Sequence, residues 1–242
     1  MLSEKPWRVE AVIQFCLAQV VCLCLGIVTI WSLHKAGIHG FQSDEDLGSV
    51  MIGTLCVQGV AWPLILLFLQ RHGVGWGTAF GFRGPRLGLA LLTAVLFILV
   101  VLPVVLWLQW ISVNVLEKLG LPQENQAAVK LLTDAKSIWT VAYLGVFAVL
   151  IAPVAEEFIF RGMLFPFVRQ LGFPRLAWFG VSALFALIHV NLPTFVPLFA
   201  LALALTWLYE RTDNLLAPIT AHALFNAANF AVLLWQIQHS PA

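Results

Sequence analysis

Three short polar clusters interrupt long apolar runs in the second half of the sequence. Residues 152–162 read Ala-Pro-Val-Ala-Glu156-Glu157-Phe-Ile-Phe-Arg161-Gly, and two further pairs follow, Phe185 with His189 and His222 with Asn226, each four residues apart. A carboxylate and an imidazole that share a water can polarise it for attack on a carbonyl, the carboxylate taking the proton and the imidazole holding the water. Attack on an amide builds negative charge on the carbonyl oxygen, which preorganised donors must receive. Glu156 and His189 have the types for the first task. His222 and Asn226, one helical turn apart on a single face, have the types for the second. The chemistry these residues indicate is amide hydrolysis.

Adjacent helical residues point about 100° apart, so Glu156 and Glu157 are expected to face different partners, whereas Glu157 and Arg161 share a face at i, i+4. Glu157 then neutralises Arg161 and leaves Glu156 aimed into the bundle, although Arg161 is long enough for the reverse assignment. Glu156, His189 and His222 also make up one carboxylate and two histidines, a ligand set used by catalytic zinc. Asn226 is a poor zinc ligand and a good oxyanion donor, which favours a metal-free water mechanism with no cofactor.

Other readings account for fewer residues. Gly180-Val181-Ser182 faintly echoes a serine-protease nucleophile, but that leaves Glu156, Glu157 and Arg161 unused, and Ser182 suits helix packing. Aspartyl chemistry needs two buried aspartates, and Asp44, Asp46, Asp134 and Asp213 fall in loops or at span ends. No His-Glu-x-x-His occurs. A proton or ion path would use the same polar residues, without the paired broken helices that transporters show. A structural role, with Glu157 and Arg161 as a packing ion pair and the histidines as interhelical partners, fits each residue alone better than it fits the set. A non-enzymatic immunity or partner-binding membrane protein is the main alternative, and substitution of Glu156 separates it from an enzyme.

The motifs E-E-x-x-x-R, F-x-x-x-H and H-x-x-x-N, in this order on successive apolar segments, resemble those of the CAAX-protease and bacteriocin-processing family of intramembrane proteases. That family includes the Ras-converting CAAX endopeptidases. The resemblance covers about the last 100 residues. It implies that Glu156 and His189 activate water, that His222 and Asn226 stabilise the oxyanion, and that Glu157, Arg161 and Phe185 support them. The substrate it implies is a membrane-associated protein or peptide, with a prenylated one among the options.

Such residues must be positioned by helices in lipid. Hydrophobic residues make up 61% of the 242 positions and charged residues 10%, a balance that a water-facing surface does not tolerate. A net charge of +1 gives no nucleic-acid signal. The expected fold is an all-α polytopic helix bundle in a cell membrane. It forms a single domain over 1–242, with the motif-bearing catalytic part at about 140–236. A span needs about 20 apolar residues. Segments near 9–33, 49–70, 87–111, 142–168, 176–194, 195–210 and 215–236 qualify, giving seven spans. An eighth arises if Val113 to Ser137, which mixes apolar residues with Glu117, Lys118, Glu124, Lys130 and Asp134, dips into the bilayer instead of lying at its surface.

A cytoplasmic amino terminus places Lys5, Arg8, Arg71, Arg83, Arg86, Arg161, Arg169, Arg175 and Arg211 inside, against Lys35, Lys118, Lys130 and Lys136 outside, as the positive-inside rule prefers. Pro153 and Pro166 are expected to bend the catalytic helix and make room for substrate, in a cavity open to the cytoplasm. Gly73, Gly75, Gly77 and Gly81 predict a flexible turn, and His34, His39, His72 and His239 solvated groups. Cys16, Cys22, Cys24 and Cys56 read as packing residues, and Trp7, Trp31, Trp110, Trp139 and Trp235 as interfacial anchors.

Overall fold

The computed structural model describes residues 2–43, 45–82, 87–121, 126–135 and 137–239. Arg83, Arg86, Glu124, Lys136 and Asp44, all used in the sequence reading, lie outside the described residues. Among the described residues the chain is helical and has no strand. Six helices are long and apolar enough to cross a membrane: α1 (Val9–Lys35), α2 (Leu47–His72), α4 (Leu87–Lys118), α6 (Ile138–Gln170), α8 (Leu192–Thr212) and α9 (Leu216–His239). Three shorter ones are α3 (Trp76–Phe80), α5 (Ala127–Thr133) and α7 (Leu176–Leu187). The chain is an all-α, multi-pass membrane bundle.

The segment expected to span at 176–194 is the shorter helix α7, which stops at Leu187. Asn191 caps the next helix by accepting from Thr194 N, and Pro193 sits in its first turn, so α8 starts afresh there. Val113 to Lys118 simply complete α4. Of the rest of that amphipathic stretch, α5 lies beside the turn after α1, where Lys130 pairs with Glu45 at 2.6 Å.

Two apolar cores hold the bundle. In one, Ala90 and Ala94 of α4 let it approach Leu201, Leu205 and Leu208 of α8 and Ala217, Ala221 and Phe225 of α9. The other gathers Trp7, Phe68, Phe80, Phe158, Phe165 and Phe185 around α6. The remaining helix faces carry exposed leucine, valine and tryptophan, as a lipid-facing surface requires.

The glycine-rich turn is built rather than loose. Gly73 and Gly81 close α2 and α3 in the left-handed region, and α3 buries Ala79 and Phe80 completely. At Gly81 a Cβ would stand 2.1 Å from the Asp213 carbonyl oxygen, while Leu215 N donates to Phe80 O at 2.9 Å. The turn is thereby joined to the connection between α8 and α9. His72 is likewise engaged: its Nδ1 lies 2.7 Å from Phe68 O, and its Nε2 accepts from Arg8 N at 2.9 Å. Trp7, expected at an interface, is buried, whereas Trp31, Trp110, Trp139 and Trp235 are exposed. Arg161 is buried inside the bundle, so it drops out of the loop charges that bear on orientation. Cys56 does pack: a Cβ at Gly26 of α1 would meet its Sγ at 2.8 Å.

Candidate active site

Helix α6 carries the first cluster and is not regular. It contains two π-helical stretches, Phe147–Ile151 and Phe158–Leu164, separated by the short α segment Ala152–Glu157 that holds both glutamates. Each stretch precedes a proline, whose missing N–H leaves a main-chain acceptor open. In the first, Ala152 N bonds to Phe147 O, five residues back. Ala148 O in the same register would need Pro153, which has no N–H to give. In the second, Phe165 N bonds to Phe160 O, also five back, and Pro166 lies in the α segment that follows, in whose four-back register its missing N–H would have served Gly162 O. Both carbonyls are filled by side chains from elsewhere: Asn226 Nδ2 donates to Ala148 O at 2.7 Å, and Trp7 Nε1 donates to Gly162 O at 3.0 Å. The prolines thus do more than bend the helix, since they make polar sockets in it.

Glu157 and Arg161 are almost completely buried and paired at 2.8 Å through Oε1 and Nη1. Arg161 also donates through Nη2 to Ala202 O on α8 at 2.9 Å, and its guanidinium lies 4.7 Å from the Phe185 ring centroid. Phe185 forms a hub. Its ring meets those of His189, Phe160 and His222 at centroid distances of 5.0, 5.2 and 5.7 Å.

His222, on α9, stands between the two glutamates. Its Nδ1 is 2.9 Å from Glu157 Oε1 and its Nε2 is 3.8 Å from Glu156 Oε2. The expectation that adjacent glutamates face different partners is therefore corrected. An imidazole has nitrogens on two edges, so one ring inserted between neighbouring side chains serves both. Nδ1 is the nitrogen turned to Glu157, and Nε2 is the nitrogen turned to Glu156. The Glu156 side chain keeps 12% of its exposure and the Glu157 side chain none, so Glu156 is the carboxylate that water or substrate can reach.

His189 lies beyond the end of α7, in a turn rather than within a span. Its Nδ1 is 2.8 Å from Phe185 O, which fixes the proton on that nitrogen in the neutral ring and leaves Nε2 as an acceptor. Val190 follows with φ of 45°, a left-handed conformation that is strained for a β-branched residue. Glu156 lies within electrostatic reach of His189, His222, Glu157 and Arg161. Asn226 uses one amide N–H on Ala148 O and has a second to offer. No group of three or more His, Cys, Asp or Glu side chains that could hold a metal ion stands among the described residues, and Glu156, His189 and His222 do not make one.

Several supporting groups escaped the sequence reading. Ala148 O, Gly162 O and Ala202 O are main-chain atoms and carry no residue-type signal, although Pro153 and Pro166 pointed to the first two. Trp178 went unread and Arg169 was read only as a cytoplasmic charge, yet both bond Glu210 at the base of the site helices, at 3.0 and 2.7 Å.

Residues 138–228 match the family model of the Rce1-like Type II CAAX prenyl endopeptidases. No curated protein and no solved structure matches the chain. The match spans α6 to α9 as far as Ala228 and includes Glu156, Glu157, Arg161, Phe185, His189, His222 and Asn226. It supports a protein of the intramembrane protease kind.

Proposed function

We propose, on the premise of that match to CAAX endopeptidases, that this chain is an intramembrane endopeptidase whose water is activated by Glu156 and His189. The observation that carries the reading is the seat of His222 between Glu157 and Glu156, with its Nε2 aimed at the carboxylate that remains accessible. At 3.8 Å, Nε2 and Glu156 Oε2 are close enough for one water beside them to accept from the protonated ring and donate to the carboxylate.

With His222 as imidazolium, Glu156, Glu157, Arg161 and His222 form a neutral cluster, which a low-dielectric interior favours. Glu156 takes a proton from water held by the acceptor Nε2 of His189, and the hydroxide adds to the peptide carbonyl. The negative charge leaves Glu156 as it appears on the oxyanion, so the cluster stays neutral. His222 Nε2–H and the second N–H of Asn226 receive that charge, while Glu157 and Arg161 hold His222 in orientation. Glu156 then returns the proton to the leaving amine.

The substrate is a membrane-associated protein or peptide, prenylated substrates being one class within it. The amino terminus and the Arg169–Arg175 turn face the cytoplasm of a cell membrane, and the chain acts as one membrane domain. The test compares membrane peptides from cells carrying the parent and Glu156→Gln. Uncleaved substrate is expected to accumulate with the variant, and its purified form should lose at least about a hundredfold in kcat. Equal cleavage by correctly inserted Glu156→Gln and His189→Ala proteins rejects the assignment. A biological effect that survives Glu156→Gln favours the binding or immunity role instead.

A further inference from the structure

The amino-terminal segment before α1 is tied to the helix that carries the site. Trp7 Nε1 donates to Gly162 O, the residue next to Arg161, at 3.0 Å. Its ring packs edge-on against Phe68 and His72, at 4.9 and 5.3 Å, and beside Phe80. Phe80 in turn presses on Gly162, where a Cβ would stand 2.9 Å from its ring. Around Trp7 the segment is held at four points. Lys5 Nζ reaches Asp213 Oδ1 at 3.3 Å, and Gln170 Nε2 donates to Lys5 O at 2.9 Å. Ser3 Oγ donates to Asp213 at 3.0 Å, and Arg8 N donates to His72.

We propose that residues 3–8 are a strap and that Trp7 is a positioning residue for the reaction: its indole N–H fills the main-chain acceptor that Pro166 leaves open beside Arg161. This rests on the peptidase reading given above. The π-helical stretch Phe158–Leu164 bonds five residues back instead of four around Arg161, and Arg161 reaches His222 through Glu157 and the Phe185 ring. A carbonyl left without a donor at Gly162 would let that stretch re-register, turning Arg161 and with it the Glu157–His222 pair. Trp7 touches none of the groups that would meet substrate, so it acts on the rate through Arg161 and not on binding.

The test is a double-mutant cycle in the full-length protein in lipid nanodiscs. Trp7→Phe keeps an aromatic ring and removes the donor, while Pro166→Ala restores a backbone N–H four residues beyond Gly162. Trp7→Phe is expected to lower kcat at least about fivefold, with KM within about twofold. Hydrogen exchange of residues 158–165 should accelerate. In the Pro166→Ala background both effects should shrink, because Gly162 O then has its own donor. An unchanged kcat and exchange rate in Trp7→Phe overturns the proposal, as does an equal loss with and without Pro166→Ala, which marks Trp7 as packing alone. If Trp7→Phe does not insert, replacement of Trp7 by benzothienylalanine, which keeps the shape without the N–H, gives the same readings. A parent that cleaves no peptide while exchange follows the predicted pattern rejects the peptidase reading and leaves the strap standing.

Discussion

At Arg161 one side chain holds two others and a main-chain carbonyl in place. Its fork gives one nitrogen to Glu157 and one to Ala202 O while its plane lies over Phe185, and no lysine can make that set of contacts. Removing the guanidinium leaves Glu157 buried with His222 as its remaining partner. Arg161→Met is therefore expected to destabilise the bundle by about 3–5 kcal/mol, read from unfolding in detergent micelles, well beyond the cost of lost packing. Glu157→Gln keeps the shape and should cost less stability than Arg161→Met, yet still slow turnover, because His222 loses its counter-charge. The sequence made the Glu157–Arg161 pair legible, since the two lie one helical turn apart. It did not make legible the place of His222 between two consecutive glutamates, because angular spacing on one helix says nothing about what a ring from another helix can reach.

At the scale of elements, α6 is set apart by its two π-helical stretches and the prolines that follow them. Asn226 fills the acceptor that Pro153 opens, so the same side chain that is proposed to receive the oxyanion also fastens α9 to α6. Asn226→Ala should cost about 1–2 kcal/mol of stability in the parent and less in a Pro153→Ala background, where Ala148 O gains a backbone donor. Thermal unfolding of the four proteins of this cycle measures the difference. The prolines were visible in the sequence and predicted a bent helix. Their consequence, a carbonyl offered to a distant side chain, depends on the π register that the helix adopts around them. The end of α7 before His189 was likewise hard to read, because the apolar run continues through Leu187 and Ile188 without a break.

For the whole molecule, the strap, Gln170, Phe80 and Asp213 meet at one end of the bundle, while Lys130 and Glu45 meet at a turn on the far side of α1. Among the described residues Arg8, Arg71, Arg169, Arg175 and Arg211 lie at the first end, and on the positive-inside rule we propose that it faces the cytoplasm. In a protein whose four cysteines are replaced, Arg175→Cys is expected to react with an impermeant maleimide only after the membrane is opened. Lys35→Cys should react in intact cells. The opposite pattern reverses the orientation without disturbing the site.

Composition and pattern alone determined that the chain is an all-α membrane protein and which polar residues stand out from lipid-compatible runs, because a charged group in an apolar span has few reasons to be there. The three motifs also carried the family likeness that residues 138–228 bear out. Only the tertiary structure decided how the groups divide their partners. It gave His222 two glutamates, Asn226 and Trp7 the acceptors opened by Pro153 and Pro166, and Arg161 a carbonyl on α8. Those contacts join main-chain atoms and ring edges from helices distant in sequence, and residue type and spacing do not encode such geometry.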